Sequence, residues 1–249
     1  MKLIFGKWCF CPKLLTSLIT ILLMYLFVSL GFWQLDRAEQ KKSLFTQFEN
    51  RRSAEAINFN LDKNNKLDKA SLVWRKLEAS GEFINEFQFL LDNRVHEGQA
   101  GYYVYTPFKL SNSDKTVLIN RGWLPSGMDR AIIPEILITE GVISIYGLVK
   151  EFPKTGVLLK ETKPEKLKDN IYRVQNINLE KVEALSKSNL LPYVIRLEPE
   201  SDHGYLKSWS VPGSDEYMHK GYAFQWFAFA LVLTGLYLFL NIKKAKPQS

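Results

Sequence analysis

Two long runs of uncharged, mostly apolar residues lie near opposite ends of the chain. Residues 14–35 and 221–242 contain no Asp, Glu, Lys or Arg, and each run is 22 residues long. As helices, runs of this length extend about 33 Å, enough to cross a hydrocarbon core of about 30 Å. Because every backbone polar group must be satisfied inside lipid, we predict two transmembrane helices over these ranges.

Between the runs, the pattern changes to short segments typical of β-strands. Residues 102–110 and 116–120 flank the turn-rich segment Ser111–Lys115, which predicts a hairpin. Further strands are predicted over residues 72–80, 87–91, 142–149, 171–176 and 192–198, with a loop or weak helix over 58–70. Asn178 precedes an apolar face formed by Leu179, Val182 and Leu185, so we expect an amphipathic helix over 178–187.

These elements predict the fold class and the domain boundaries. Residues 36–220 should form an antiparallel, β-rich α+β domain, either barrel-like or a sandwich. A basic tail (1–13) and the first span (14–35) should precede this domain. The second span (221–242) and a second basic tail (243–249) should follow it.

The distribution of charge argues against a nucleic-acid-binding protein. The two tails hold six of the 33 basic residues and none of the 26 acidic ones, so residues 36–220 carry 27 basic and 26 acidic residues. A nucleic-acid-binding domain of this size usually has a basic face. We therefore expect the lipid bilayer as a partner and no nucleic acid.

The first span and the basic tails indicate a topology. The uncharged run exceeds the usual apolar region of a signal peptide and no small-x-small site follows, which favours a retained anchor. Short basic tails favour cytoplasmic termini, although Arg37, Lys41 and Lys42 beyond the first span weaken the local rule. The middle segment is then extracytoplasmic.

Only two cysteines occur, Cys9 and Cys11, and both precede the first span. The central segment therefore has no disulfide framework and no thiolate metal site. The Cys-Phe-Cys spacing is compatible with a soft metal ion, but a pair of reduced cytosolic thiols is the simpler interpretation.

Motifs of common enzyme classes are missing from the sequence. It contains no G-x-S-x-G, Walker A, G-x-G-x-x-G or H-E-x-x-H segment. The three histidines, His96, His203 and His219, have no second histidine or cysteine at ligand spacing. We therefore predict that the protein is not an enzyme.

The start of the second span carries the most informative group of side chains. In a helix, His219, Tyr222 and Trp226 share one face, with Gln225 beside it. Antiparallel packing would bring them to the depth of a second set at the end of the first span, which consists of Trp33, Gln34 and Arg37. One interpretation is a haem site, with His219 on the iron and Arg37 on a propionate. The other is an aromatic belt at the membrane interface.

A second candidate site follows the predicted hairpin, in the segment Asn120–Pro125. Its Gly and Pro favour a structural turn. Arg121 and Trp123 are also residue types that anchor protein interfaces, so a partner-binding role remains open.

These segments together resemble the Surfeit locus protein 1 family of cytochrome c oxidase assembly factors. The resemblance rests on residues 30–37, 105–108, 117–125, 147–149 and 219–227, in this order between the two spans. It implies an assembly factor that helps insert or stabilise haem a in oxidase subunit I. It also implies His219 as the haem ligand, and haem a synthase as a second partner.

The resemblance places the protein in a bacterial inner membrane, with both termini cytoplasmic and the domain periplasmic. The tail before the first span has no Arg and does not resemble a mitochondrial presequence. The alternative function is a cofactor-free, membrane-tethered scaffold that binds a subunit of a membrane complex.

Overall fold

The computed structural model describes residues 3–5, 8–59, 69–127, 132–153 and 163–244. The chain divides into two compact units, one of residues 1–47 with 210–249 and the other of residues 48–209. In chain order the elements are β1 (Leu3–Phe5), β2 (Trp8–Phe10), α1 (Leu14–Arg52), β3 (Ile57–Asn58), α2 (Lys69–Leu72), β4 (Lys76–Phe83), β5 (Gln88–His96), β6 (Gln99–Leu110), β7 (Lys115–Pro125), β8 (Ile143–Lys150), β9 (Glu165–Lys168), β10 (Ile171–Val174), α3 (Leu179–Ser186), β11 (Asn189–Leu197), α4 (Glu216–Asn241) and β12 (Ile242–Lys244).

The first unit contains the two apolar helices. Both α1 and α4 are long and apolar enough to cross a membrane, and most side chains in their apolar windows are exposed, as expected for helices surrounded by lipid. The helices are in contact at Gly31, where an added Cβ would lie 2.6 Å from a ring carbon of Phe227. The rings of Phe27 and Trp226 also meet, with centroids 5.8 Å apart. A glycine at position 31 thus permits the close approach of α1 and α4.

The two tails pair in a small sheet of order β1-β2-β12. Cys9 and Cys11 are joined by a disulfide, which differs from the reduced pair that the sequence favoured. The side chains of residues two apart lie on the same side of an extended chain, so Cys9 in β2 and Cys11 just after it can meet.

A five-stranded closed barrel forms the centre of the second unit. The strand order is β3-β4-β8-β11-β7-β6-β5-β10-β9, and an additional pairing between β4 and β6 closes the barrel. Its interior is filled by alternate residues of these strands, among them Leu77, Phe108, Ile119 and Ile195. Period-two alternation places these apolar side chains inward and their neighbours outward.

A second apolar cluster covers part of the barrel's outer face. Val182 of α3 packs with Tyr105, Leu118 and Val194 there. The side chain of Asn178 accepts a hydrogen bond from the Lys181 amide at the start of α3, as predicted for this N-cap.

The predicted β-rich domain between two apolar helices is confirmed, and of the two alternatives the structure has the barrel. The hairpin is also confirmed, since β6 and β7 pair antiparallel. Among the described strands, three pairings are parallel, namely β3–β4, β5–β10 and β7–β11, because these partners are joined by crossovers and not by tight turns. The predicted loop or weak helix over 58–70 falls mostly on residues 60–68, outside the described residues.

Candidate functional site

His219 and Gln34 bring the two apolar helices together through their side chains. The His219 Nδ1 atom lies 2.8 Å from Gln34 Oε1, across 185 residues of sequence. The imidazole is largely shielded, with 16% of its side chain exposed. The sequence placed these two residues at the same depth, and the structure joins them directly.

This contact defines the chemistry of the imidazole. Because an amide oxygen only accepts, the Nδ1 atom of His219 donates to Gln34. In the neutral ring, Nε2 then carries the lone pair. An imidazole that is oriented by a hydrogen bond from its other nitrogen is the usual arrangement for a metal-binding histidine.

Asp215 and Lys41 stand beside this imidazole. The Asp215 Oδ2 atom accepts a hydrogen bond from Lys41 Nζ at 2.8 Å and lies 3.8 Å from His219 Nε2. The hydrogen bond from Lys41 is the main cause that holds the pKa of Asp215 below its ordinary value. The carboxylate therefore stays ionised at neutral pH.

A glycine brings the chain that carries Asp215 close to α1. Gly213 has a φ of 76°, and an added Cβ would lie only 2.2 Å from the Lys41 carbonyl oxygen. A side chain at this position would be strained by its backbone angle and would collide with α1. Gly213 thus helps to place Asp215 within reach of Lys41 and His219.

Trp33 and Arg37 form a separate pair on α1. The Arg37 guanidinium lies 5.8 Å from the centre of the Trp33 ring and donates to Gln40 Oε1 at 2.9 Å. Both residues are exposed. The structure therefore does not bring them into contact with His219, and the role predicted for Arg37 on a propionate remains a prediction.

The remaining predicted residues of α4 are spread along the helix. Trp226 packs against Phe27, Tyr222 is 45% exposed, and Gln225 is exposed and makes no hydrogen bond to any described residue. Haem-binding roles for these three residues remain predictions, and their positions are also those expected of an aromatic belt.

Arg121 is fully buried in the second unit, where a β-bulge leaves it without a partner on β6. Its NH1 group donates to the Leu137 carbonyl at 2.9 Å, and its guanidinium lies 4.7 Å from the Phe83 ring centre and 5.5 Å from that of Tyr205. Burial lowers the pKa of Arg121. In this position the guanidinium contacts residues of its own domain.

Trp123 is also buried, with 7% of its surface exposed. Its indole nitrogen donates to the Arg94 carbonyl at 2.8 Å, and its ring centre lies 5.3 Å from that of His96. These contacts favour the structural role that the sequence left open. Partner binding by Arg121 and Trp123 remains a prediction.

Sequence reasoning missed Lys41 and Asp215 as members of the site. A signal was present, since Lys41 follows Gln34 by seven residues and Asp215 precedes His219 by four, both of which are helical spacings. Asp215, however, is the residue just before α4, and its side chain makes no capping hydrogen bond. Only the three-dimensional contact with Lys41 reveals it.

Comparison with known proteins decides the family. The SURF1 family matches residues 21–231, a range that contains both Gln34 and His219. The chain belongs to the SURF1 family. The resemblance seen in the sequence is thereby confirmed, and members of this family generally act in cytochrome oxidase assembly.

Several SURF1-like proteins are similar to this chain over nearly its full length. One from Rickettsia felis is 28% identical over 229 residues, covering 90% of this chain and 95% of its own. Another, from Rickettsia bellii, is 27% identical and covers 90% and 88%. A relative from Monosiga brevicollis is 23% identical and covers 86% and 83%.

The imidazole of His219 is of the chemical type that ligates a haem iron. Nε2 has no hydrogen bond to any described residue, and Nδ1 is fixed by Gln34. The described residues contain no group of three His, Cys, Asp or Glu side chains that would hold a bare metal ion. A single oriented imidazole is the kind of ligand that an iron already held by a porphyrin accepts.

Proposed function

We propose that this SURF1-family protein assists the assembly of haem-copper cytochrome c oxidase by holding haem a at His219 and helping to insert or stabilise it in subunit I. Haem a is then the cargo, and oxidase subunit I and haem a synthase are the partners. The observation that carries the proposal is the contact between His219 Nδ1 and Gln34 Oε1, which leaves Nε2 as the basic nitrogen.

Each residue has a defined part in this proposal. His219 provides the ligating nitrogen, and Gln34 fixes the orientation of the ring. Trp226 and Tyr222 would contact the apolar porphyrin, and Arg37 would pair with a propionate. His219 Nε2 would donate its lone pair to the iron of a bound haem a. The proposal assigns the protein the role of an assembly factor and not of an enzyme.

The absorption spectrum of the full chain, purified in detergent after co-production of haem a, tests the proposal. We expect near-stoichiometric haem a in the wild type, little in His219→Ala and an intermediate amount in His219→Met, because a thioether also ligates haem iron. His203→Ala is the matched control, since the His203 side chain makes no hydrogen bond, ion pair or ring contact with any other described residue. A wild type that stays colourless would favour the cofactor-free scaffold.

We further propose that the protein lies in a bacterial inner membrane with cytoplasmic termini and a periplasmic domain. The short basic tails support this orientation. A periplasm-dependent reporter inserted at Asn112, an exposed residue in the turn between β6 and β7, should be active. Activity of a cytoplasm-dependent reporter at the same position would contradict the orientation.

A further inference from the structure

Two cations lie side by side on the outer face of the barrel. Arg196 of β11 is paired with Leu148 of β8, and Lys150 of β8 is paired with Val194, so Arg196 and Lys150 are diagonal neighbours on one face. Both side chains are only partly exposed. Like charges this close repel one another, more strongly in a shielded position than in open water.

Neither cation is neutralised within the described part of the chain. Arg196 and Lys150 make no ion pair or hydrogen bond to any described residue. Arg196 instead lies 4.8 Å from the centre of the Trp209 ring, and Lys150 lies 5.7 Å from that of Trp74. Aromatic faces attract cations without removing their charge.

The surrounding charges leave this face positive. Arg52 and Glu198 are paired at 3.6 Å. Glu198 and Glu151 act on Arg196 and Lys150 respectively, but neither carboxylate lies within ion-pair distance of them. Arg94 and Arg196 both act electrostatically on the buried Tyr105 hydroxyl. Of these four cations, only Arg52 has an ion-pair partner among the described residues, and Arg51 is a further cation 5.8 Å from the Trp74 ring.

Some buried hydrogen-bond donors of this domain also lack acceptors. Four buried side-chain polar atoms lack a partner among the described residues, and all four are N–H donors. They are Trp74 Nε1, Arg75 Nε, Arg94 Nε and Arg196 Nε. Buried donors normally find acceptors. Arg196 Nε and Trp74 Nε1, which lie at the two cations, lack one among the described residues.

We propose that Lys150 and Arg196 form a binding site for a phosphate-type oxyanion. Trp74 Nε1, whose ring lies against Lys150, is a flanking donor. An oxyanion of this kind supplies several acceptor oxygens and negative charge, and guanidinium and ammonium groups are its usual protein ligands. The partly buried position of both cations suits a small tetrahedral group. The oxyanion is either free in solution or the phosphate of an anionic lipid headgroup.

Thermal unfolding of the full chain in neutral detergent tests the site with sulfate as the probe. Against chloride at the same ionic strength, we expect sulfate to raise the unfolding midpoint of the wild type by roughly 3 °C. The double variant Lys150→Gln/Arg196→Gln should lose this increment. Without sulfate, it should unfold at or above the wild-type temperature, because the repulsion is removed. If Lys150 and Arg196 only stabilised the fold, the double variant would unfold at a lower temperature than the wild type in the absence of sulfate.

Two further variants serve as controls. Arg173→Gln removes a cation that is paired with Glu165 at 2.7 Å, so the sulfate increment should persist. Arg196→Lys keeps the charge and should retain part of the increment, which keeps the test valid if the double variant folds poorly. An increment that is unchanged in the double variant would overturn the proposal.

Nanodiscs distinguish the two sources of the oxyanion. If a lipid headgroup occupies the site, phosphatidylglycerol should raise the midpoint of the wild type but not of the double variant, and sulfate should add nothing. If a free anion occupies it, sulfate should act equally in phosphatidylglycerol and phosphatidylcholine. A wild type that responds to neither sulfate nor anionic lipid would also overturn the proposal.

Discussion

Gln34 Oε1 accepts a hydrogen bond from His219 Nδ1 at 2.8 Å, so the orientation of the imidazole depends on a residue of the other apolar helix. An amide at this depth of a membrane helix would otherwise have to find a partner elsewhere. Its pairing with the one histidine at the start of α4 links the packing of the helices to the ligand chemistry of the ring.

Gln34→Leu should weaken haem a binding without preventing insertion into the membrane. Leucine has a similar size but accepts no hydrogen bond, so the His219 ring loses its fixed orientation. Loss of such an outer partner typically lowers metal affinity about 10–100-fold. Haem a titration of the purified variant measures the effect. Gln47→Leu removes an exposed amide of α1 that bonds only to Ser43 among the described residues, and it should bind haem a as the wild type does. Equal losses in both variants would contradict the role of Gln34.

Arg37→Ala should have a smaller effect on haem a affinity than Gln34→Leu. The guanidinium is exposed and bound to Gln40 and Trp33 of its own helix, so it contributes a screened charge. Exposed ion pairs contribute little, and the affinity should fall less than about fivefold. Haem a titration of the purified variant measures this change in affinity. A loss larger than that of Gln34→Leu would mean that Arg37 contacts the haem directly.

The helices and the hairpin can be predicted from sequence because their signals are local. An uncharged run of sufficient length, or apolar alternation on both sides of Ser111–Lys115, specifies the element wherever it lies. Barrel closure is not local, since it depends on the pairing of Gly81 with Leu110 between β4 and β6. The sequence therefore left barrel and sandwich open.

The sequence predicted which residues of the two helices lie at one depth of the membrane, but it did not predict which of them are in contact. The rotation of α1 relative to α4 selects Gln34, and not Arg37, as the partner of His219. The helices approach closely where Gly31 packs against Phe227, a contact that no periodicity reveals. Arg121 was unpredictable for another reason, because its aromatic neighbours Phe83 and Tyr205 come from distant segments.

Trp123→Ala should destabilise the domain. The ring is buried, and truncating a buried Trp typically costs about 3–5 kcal/mol of unfolding free energy. Limited proteolysis and thermal unfolding should show the loss, and co-purification with subunit I should fall only in proportion to folded protein. Trp123→Phe retains most of the packing and should lose mainly the hydrogen bond to Arg94. Normal stability of Trp123→Ala with lost co-purification would establish the interface role instead.

Sulfate binding at Lys150 and Arg196 should depend on pH in a defined direction. Burial, and then the charge of Arg196, lowers the pKa of Lys150 to about 8, while Glu151 partly opposes this. Burial is the main cause that lowers the pKa of Arg196, and the ionisable groups that act on it are Glu198, Tyr103, Arg52 and Tyr105. Arg51 lies against the same Trp74 ring as Lys150. Because sulfate keeps its charge, the titration of Lys150 should dominate the dependence between pH 7 and 9.

The sign follows from the linkage of proton and anion binding. Bound sulfate favours charged Lys150 and raises its pKa, so the complex holds more protons than the free protein above about pH 8. Affinity should be constant below this pH and fall by up to about tenfold per pH unit above it. Sulfate titrations of the full chain at pH 7, 8 and 9 measure the slope. Lys150→Gln should bind weakly but without this decline, and an identical decline in that variant would exclude Lys150 as the titrating group.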